Sequence, residues 1–155
     1  MIAQARLGHA AKAWEYLGML SPAHRARSEA EQRRYRLEPY VMPGDIYAAA
    51  PYEGRGGWSW YSGSAAWIWR AAVESILGLE QRPGGLRVTP CLPPHWPQAR
   101  IDLRLHGRRL QVLLQHDTAL PAGAQPLAVG QWVDLARLAE HGAHDAARDG
   151  GGDPA

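Results

Sequence analysis

The stretch that decides the fold runs from Glu38 to Trp69 and reads EPYVMPGDIYAAAPYEGRGGWSWYSGSAAWIW. It holds four of the seven tryptophans and four of the six tyrosines of this 155-residue chain, together with the glycine-rich turn Gly54-Arg55-Gly56-Gly57. Large aromatic side chains are costly to leave in water. We therefore expect these rings to pack against other elements, to line a cleft, or to do both.

Prolines and serines set the local structure of this stretch. Prolines at positions 39, 43 and 51 exclude a continuous helix, and each favours an extended conformation in the preceding residue. Residues 38–55 are therefore predicted to form a structured loop. Ser62 or Ser64 is then predicted to N-cap the following helix. The free N–H groups of such a helix start bind anions, so the turn is either a simple cap or an oxyanion or phosphate site.

Helical spacing of apolar residues appears before this loop. Residues 1–20 are predicted to form a helix that Ser21-Pro22 ends and that Gly8-His9 interrupts near its start. No N-cap or hydrophobic staple precedes Ile2, which is typical of a chain that starts inside a larger fold. Residues 23–37 are charged and predict a solvated loop or a short helix.

The strongest predicted helix follows the loop and covers residues 64–79, with Gly78 as the glycine after its C-terminus. Trp67 and Trp69 lie on different faces of it, so we expect this helix to be contacted on more than one side. Its predicted apolar stripe consists of Ala65, Ala66, Trp69, Ala72, Val73, Ile76 and Leu77.

Alternating apolar residues replace the helical spacing in the second half of the chain. A turn at residues 83–85 precedes a short strand at residues 86–88, and residues 90–97 form a rigid proline-rich connection. A hairpin with one buried face is then predicted, turning at Gly107. Its inward-facing residues are Ile101, Leu103, Leu105, Leu110, Val112 and Leu114. Residues 127–135 are predicted to add a further strand.

Composition excludes several classes of protein. The net charge is about +2 and no arginine run alternates with aromatic residues, which argues against a nucleic-acid groove. The single cysteine, Cys91, excludes an internal disulfide and is expected to be a buried, inert thiol. His9 and His24 lack a neighbouring ligand at metal-binding spacing, so surface or helix-end roles are expected. No signal peptide or membrane-spanning run is recognisable.

Acidic and aromatic residues in the loop are candidates for carbohydrate chemistry. Glu38, Asp45 and Glu53 are the carboxylates, and two carboxylates that flank a glycosidic bond catalyse its cleavage. Their separation does not follow from the sequence, and a loop carboxylate equally accepts hydrogen bonds from backbone N–H groups. The rings of Trp58, Trp60 and Tyr61 either stack on sugars or pack against neighbouring helices.

Several long strings together resemble the C-terminal region of glycoside hydrolase family 94, which contains the cellobiose and chitobiose phosphorylases and the cyclic β-1,2-glucan synthases. The strings are EPYV at 38–41, GRGGWSWYSGSAAW at 54–67, ESILG at 74–78, PCLP at 90–93 and WP at 96–97. The similarity runs from about residue 3 to about residue 114. The segments GRGGW and WYSGS resemble those of the glucan synthase branch more than those of the phosphorylases.

The resemblance implies an α+β architecture: the last helical hairpins of an (α/α) six-hairpin barrel, followed by part of a C-terminal antiparallel β-sandwich. Residues 1–81 would end the barrel catalytic domain, residues 82–138 would belong to the sandwich, and residues 139–155 would form a disordered tail. A cytoplasmic location is expected for this chain, whereas full-length glucan synthase relatives are inner-membrane proteins.

The family reaction implies roles for individual residues. It is the phosphorolysis of a β-glucoside with inversion, in which inorganic phosphate is a co-substrate and no cofactor is required. A Thr-Gly pair that binds phosphate corresponds to Ser62-Gly63 here, and the Glu-Pro-Tyr motif beside the sugar subsites corresponds to Glu38 and Tyr40. The expected substrate-binding residues are Glu38, Tyr40, Asp45, Arg55, Trp58 and Trp60.

The chain departs from the family pattern because it lacks the motif that carries the general acid. The family's general acid lies in an Asp-Trp-Asn motif upstream, and neither Asp-Trp nor Trp-Asn occurs here. The chain alone is therefore expected to be inactive or nearly so, with an upstream polypeptide as a partner that carries the rest of the barrel. The alternatives are a non-catalytic carbohydrate-binding or scaffolding module and an inactive gene remnant.

Overall fold

The structure, a computed structural model, describes residues 1–105, 107–115, 130 and 132–134. Its helices are short and lie in the first half of the chain, and its strands lie mostly in the second half, which gives the α+β class predicted above. The helices are α1 (Ile2–Arg6), α2 (Ala10–Leu20), α3 (Pro22–Arg25), α4 (Glu29–Tyr35) and α5 (Ser62–Arg70), which continues directly into a π-helix (Ala71–Ile76).

The predicted interruption at Gly8-His9 is confirmed, because α1 and α2 are separated there. Gly8 has a φ of +78°, a left-handed conformation that glycine adopts without a steric penalty. Pro22 begins α3 immediately after α2, so the predicted end at Ser21-Pro22 is also confirmed. In the charged segment that follows, α4 starts with a capping box formed by Ser28 and Glu31, in agreement with a short helix.

The predicted N-cap of the main helix is wrong. Helix α5 begins at Ser62, its N-cap residue is Tyr61, and no side chain caps it. The hydroxyl of Ser64 instead donates to the carbonyl of Pro43 at 2.7 Å and lies 2.9 Å from the carbonyl of Tyr61. A tertiary contact with the loop has therefore taken the hydroxyl that the sequence pattern assigned to the cap.

The predicted apolar stripe is also only partly correct, since Trp69 is 62% exposed and Ala66 is exposed too. The reason is the π-helix, in which bonds such as Leu77 N–H to the Ala72 carbonyl (2.9 Å) widen the turn. The face that α5 presents is therefore not continued by Ala71 and Ile76, which are buried.

Two small sheets form the second half of the chain. One consists of the hairpin β3 (Leu79–Arg82) and β4 (Gly85–Val88), with β7 (Trp132–Asp134) antiparallel to β4. Strand β3 was not predicted, because only Leu79 in it is apolar. The predicted strand at residues 127–135 is confirmed for residues 132–134, whereas Gly130 is in a turn. Residues 127–129, 131 and 135, and the tail predicted at 139–155, lie outside the described residues.

The predicted hairpin is confirmed as β5 (Gln98–Leu105) and β6 (Arg108–Gln115). Its register pairs Ile101 with Val112 and Leu103 with Leu110, so the apolar residues share one face. That face covers a cluster that the other sheet and the π-helix complete. The buried members are Leu79, Leu86, Val88, Leu92, Val112 and Leu114, with Val73 and Leu77 packed against them.

A second buried cluster connects helices α1 and α2 to the π-helix, which also contributes to the first cluster. Ile76 packs with Ala5 of α1 and Ala13 of α2, and Cys91 lies against the three of them. The Cys91 thiol is partly buried, and burial raises its pKa, which agrees with the inert thiol expected from the sequence. The π-helix thus contributes side chains to both clusters.

Gly78 marks the point where the helical half meets the sheets. Its φ is +74°, and its carbonyl accepts a hydrogen bond from the Thr89 N–H at 2.8 Å. A Cβ at this position would collide with the backbone carbonyl of Thr89 and lie 2.6 Å from the nitrogen of Pro90. Only glycine permits this approach, because both obstacles are backbone atoms.

We expect Gly78→Ala to lower the free energy of unfolding by more than about 3 kcal/mol, since it adds a backbone collision to the cost of a left-handed alanine. Gly84→Ala is the matched control: Gly84 has a φ of +80° with nothing within 4 Å of an added Cβ. It should cost only about 1–2 kcal/mol. Urea unfolding followed by circular dichroism measures both, and equal losses would contradict the close approach at Gly78.

Candidate functional site

The site is built on a short hairpin, β1 (Asp45–Ile46) and β2 (Gly56–Gly57), that faces helix α4. Gly56 is buried, and a Cβ there would lie 2.5 Å from the Leu37 side chain and 3.0 Å from the Tyr35 ring. Tyr35 is fully buried, and burial raises the pKa of its phenol. The glycine-rich turn is therefore needed for close packing of the hairpin on α4.

Two tryptophans follow β2 in a strained backbone conformation. Trp58 and Trp60 have φ values of 58° and 63°, a region that bulky residues rarely adopt. Their side chains are nevertheless 76% and 70% exposed. The Gly44 N–H holds this segment through the carbonyls of Gly57 (2.9 Å) and Trp58 (3.1 Å). Backbone strain that presents exposed rings is typical of functional sites.

Glu38 connects the start of the loop to these tryptophans. Its Oε2 accepts a hydrogen bond from the Ser59 hydroxyl at 2.6 Å, and its Oε1 accepts one from the Trp60 indole N–H at 3.2 Å. The hydrogen bond from Ser59, with smaller contributions from backbone N–H and Trp60, lowers the pKa of the Glu38 carboxyl. Glu38 is therefore an ionised acceptor at neutral pH.

Tyr40 completes an aromatic cluster on this carboxylate. Its ring lies edge-on to Trp60, with the ring centroids 6.4 Å apart. Tyr40 is itself mostly exposed. Two exposed aromatic rings beside an ionised carboxylate present apolar faces and a hydrogen-bond acceptor to the same volume of solvent.

The start of helix α5 lies directly after this cluster. Ser62 and Gly63 are exposed there, and the first turn of any helix leaves N–H groups without intrahelical acceptors. A Cβ on Gly63 would meet only the Tyr61 ring, at 3.6 Å. The segment that the sequence predicts to bind an anion is therefore open to solvent.

The predicted site residues do not all share one place. Trp60 contacts both Glu38 and Tyr40, and Trp58 and Ser62-Gly63 are neighbours of Trp60 along the chain. Asp45 is on β1, where its carboxylate covers Gly57. Arg55 instead stacks on Tyr52 at the end of the hairpin, 5.6 Å from guanidinium carbon to ring centroid.

Sequence reasoning missed Ser59, whose hydroxyl is the strongest influence on Glu38. The available signal was its position between two tryptophans, which places its side chain next to theirs. Glu53, the third candidate carboxylate, is exposed in the loop after Tyr52. The candidate carboxylates are thus distributed over three places, and only Glu38 lies among the tryptophans.

A cavity of about 850 Å³ lies elsewhere, between α1, the π-helix and the β3–β4 hairpin. Its charged lining residues are Arg6, Glu74, Glu80 and Arg87. Glu80 forms ion pairs with Arg82 and Arg87, and Glu74 pairs with Arg70 at 2.9 Å. Three of the four charged lining residues, Glu74, Glu80 and Arg87, are therefore engaged in ion pairs.

Two further features are absent from the residues that the structure describes. No three histidine, cysteine or acidic side chains come together there as metal ligands. Within the same residues, no helix combines the length and the apolar character needed to cross a bilayer.

Comparison with known families divides the chain at Gly78. Residues 1–78 match the family model described as "Glycosyl hydrolase 94 superfamily, catalytic domain". Residues 79–128 match that described as "Glycosyl hydrolase family 65, C-terminal domain". The change from one match to the other coincides with the end of the helical half in the structure.

Several curated proteins are similar in sequence to this chain. The cyclic beta-(1,2)-glucan synthase NdvB of Rhizobium meliloti (strain 1021) is 40% identical over 118 residues, which are 76% of this chain and 4% of that protein. The N,N'-diacetylchitobiose phosphorylase of Vibrio furnissii is 27% identical over 86% of this chain and 16% of its own length. The solabiose phosphorylase of Paenibacillus borealis is 24% identical over 59% and 12%. The chain spans only 4% to 16% of these relatives.

We expect the indole N–H resonance of Trp60 to shift with pH at a midpoint below the ordinary pKa of glutamate. The hydrogen bonds to Glu38 favour the carboxylate, so the stabilisation they give the loop is complete above the ordinary pKa and is lost as pH falls through the lowered one. Two-dimensional ¹⁵N–¹H NMR measures this shift.

Two variants test whether Glu38 is the group that causes this shift. Glu38→Gln should abolish it, whereas Glu53→Gln, which removes an exposed carboxylate of the same loop, should leave it unchanged. A Trp60 midpoint at or above the ordinary value, or one that survives Glu38→Gln, would contradict the contact.

Proposed function

The chain belongs to the glycosyl hydrolase 94 superfamily, and from that premise we propose that its aromatic surface supplies sugar and phosphate subsites for the phosphorolysis or transfer of a β-glucan. The observation that supports this most is the ionised Glu38 carboxylate held beside the exposed rings of Tyr40 and Trp60. Apolar ring faces suit the C–H faces of a sugar, and a carboxylate accepts hydrogen bonds from its hydroxyl groups.

The anion subsite in this proposal is the start of α5. Ser62 supplies a hydroxyl, Gly63 lets the backbone come close to an anion, and the positive end of the helix dipole favours phosphate. Phosphate bound here would lie next to sugars held by Trp58 and Trp60, as attack on an anomeric carbon requires.

The proton donor in this proposal comes from outside these 155 residues. A general acid must be protonated at the operating pH, and the lowered pKa of Glu38 makes it unsuitable. The lengths of the relatives agree with an external donor, because the region that matches this chain is at most 16% of each relative named above. The rest of an (α/α) barrel, in the same or another polypeptide, would supply the acid. The division at residue 81 and a cytoplasmic location belong to the same proposal.

Helix α5 has surface available for that missing part. Trp67 is 60% exposed and Trp69 is 62% exposed, and no residue of α5 is buried. Exposed rings of this size on two faces of one helix mark surfaces that another element covers. This is the position expected of an inner helix of a barrel.

A non-catalytic carbohydrate-binding role is the second candidate, and it rests on the same exposed rings. Trp58 and Trp60 would bind glucan even where no donor is supplied. The two candidates differ in whether phosphorolysis appears when the rest of the barrel is added.

We expect the purified chain to bind β-(1,2)-linked gluco-oligosaccharides and Trp60→Ala to weaken this binding by about tenfold, because an aromatic contact of this kind contributes roughly 1–2 kcal/mol. Isothermal titration calorimetry measures the affinity. Trp132→Ala is the control, since Trp132 lies on β7 in the other half of the chain. Folded protein that binds no such sugar would refute both candidates.

We further expect the purified chain, mixed with β-(1,2)-glucan and inorganic phosphate, to release no glucose 1-phosphate. A positioned acid contributes about 10²- to 10⁴-fold in rate, and the described residues offer none among the tryptophans. An enzymatic glucose 1-phosphate assay measures this. Sugar binding by the same preparation controls for folding, and turnover by the chain alone would refute the external donor.

A further inference from the structure

The end of the β1–β2 hairpin, residues 47–55, is an exposed segment that the site described above does not use. We call it the hairpin tip. Tyr47 is 44% exposed and Tyr52 is 55% exposed, and the residues between them, Ala48, Ala49, Ala50 and Pro51, are exposed as well. Exposed apolar residues that are contiguous, as these are, mark candidate binding surfaces.

The hairpin tip is held in one conformation by its own backbone. Tyr47 N–H donates to the Arg55 carbonyl at 2.9 Å, and Gly54 N–H donates to the Tyr47 carbonyl at 2.8 Å. Inside it, Tyr52 N–H donates to Ala49 and Arg55 N–H donates to Tyr52, both at 3.0 Å. The two tyrosine rings are therefore presented at low entropic cost to a ligand.

The side chains of the hairpin tip combine apolar faces with planar polar groups. The rings of Tyr47 and Tyr52 lie 6.1 Å apart at an angle of 52°, and the guanidinium of Arg55 lies over Tyr52. Glu53, which follows Tyr52 in the chain, has an exposed carboxylate. Phenol, guanidinium and carboxylate groups bind vicinal hydroxyl groups, while the rings bind the C–H faces of sugars.

The composition favours a sugar over a protein as the occupant. Residues 47–55 read YAAAPYEGR and contain no leucine, isoleucine, valine or methionine. Protein interfaces are depleted in alanine and glutamate relative to the rest of the surface, and four of these nine residues are alanine or glutamate. The hairpin tip instead offers only small residues between two tyrosines.

The hairpin tip is continuous with the segment that carries Trp58 and Trp60. Ile46 pairs with Gly56 and Asp45 pairs with Gly57, so the strands lead directly from Tyr47 and Arg55 to Trp58. Trp58 is the third residue after Arg55, which is about 10 Å along a strand. This span is longer than one sugar ring, so a single oligosaccharide reaches both places only if it is extended.

We infer that the hairpin tip, through Tyr47, Tyr52 and Arg55, is a distal subsite that holds the glucan chain beyond the sugars bound at Trp58 and Trp60. This inference rests on the proposed function and adds to it that the site distinguishes its substrates by the length of the glucan chain. Longer β-glucan oligosaccharides gain affinity at the hairpin tip, and a disaccharide held at the tryptophans does not.

The test compares a disaccharide with a hexasaccharide of β-(1,2)-linked glucose on the full chain by calorimetry. The wild-type chain should bind the hexasaccharide more tightly. Tyr47→Ala/Tyr52→Ala should reduce hexasaccharide affinity by about tenfold and leave disaccharide affinity unchanged. Tyr16→Ala is the matched control, because Tyr16 is a partly buried tyrosine on α2 that contacts Lys12.

The outcomes separate this inference from the proposed function. If Trp60→Ala weakens both sugars while Tyr47→Ala/Tyr52→Ala changes neither, the subsite is refuted and the proposed function stands. Equal losses for both sugars in the tyrosine variant would also refute a distal subsite. Unchanged sugar affinity with an altered oligomeric state would assign the hairpin tip to protein contact instead. Folded protein that binds neither sugar refutes both proposals.

Discussion

The rest of the structure depends on the approach of two backbone segments at Gly78. The helical half ends there, and the chain reverses so closely that the Gly78 carbonyl bonds to Thr89 while the Ile76 carbonyl accepts the N–H of Cys91 at 2.8 Å. These two bonds fix the π-helix between the sheets and helices α1 and α2. Because α5 runs into the π-helix without a break, they also fix the direction in which α5 points its first turn. The candidate anion site is thus positioned by a glycine sixteen residues away in the chain.

Features that depend on local periodicity could be predicted, and features that depend on distant contacts could not. The β5–β6 hairpin follows from alternation on either side of Gly107, and the break between α1 and α2 follows from Gly8. Strand β3 has no alternation of its own, since it exists through its pairing with β4. The π-helix likewise contributes Val73 to one cluster and Ile76 to the other, and both contacts are with residues distant in the chain.

The same distinction holds within the site. Its residue types could be chosen from the sequence, because exposed rings, a carboxylate and a serine-glycine turn are recognisable there. Their grouping could not, because the bonds from Glu38 to Ser59 and to Trp60 cross 21 and 22 residues. The cap prediction at Ser64 failed for a related reason: Pro43, far away in sequence, competes for the hydroxyl. Arg55, which the resemblance assigns to the substrate-binding residues together with Trp58, lies over the ring of Tyr52.

Helix α5 couples the site to the rest of the fold that we propose. It has nine residues and buries none of them, and a helix of this length has little stability of its own in water. Within the described residues it is held by its continuation into the π-helix at one end and by the Ser64–Pro43 bond at the other. Any element that covers Trp67 and Trp69 therefore stabilises the same helix whose first turn presents Ser62 and Gly63. In the proposed enzyme, covering the rings would stabilise the first turn of α5, and by linkage an anion bound there would favour the covered state. In the proposed enzyme, the part that supplies the proton donor thus also completes the site that receives phosphate.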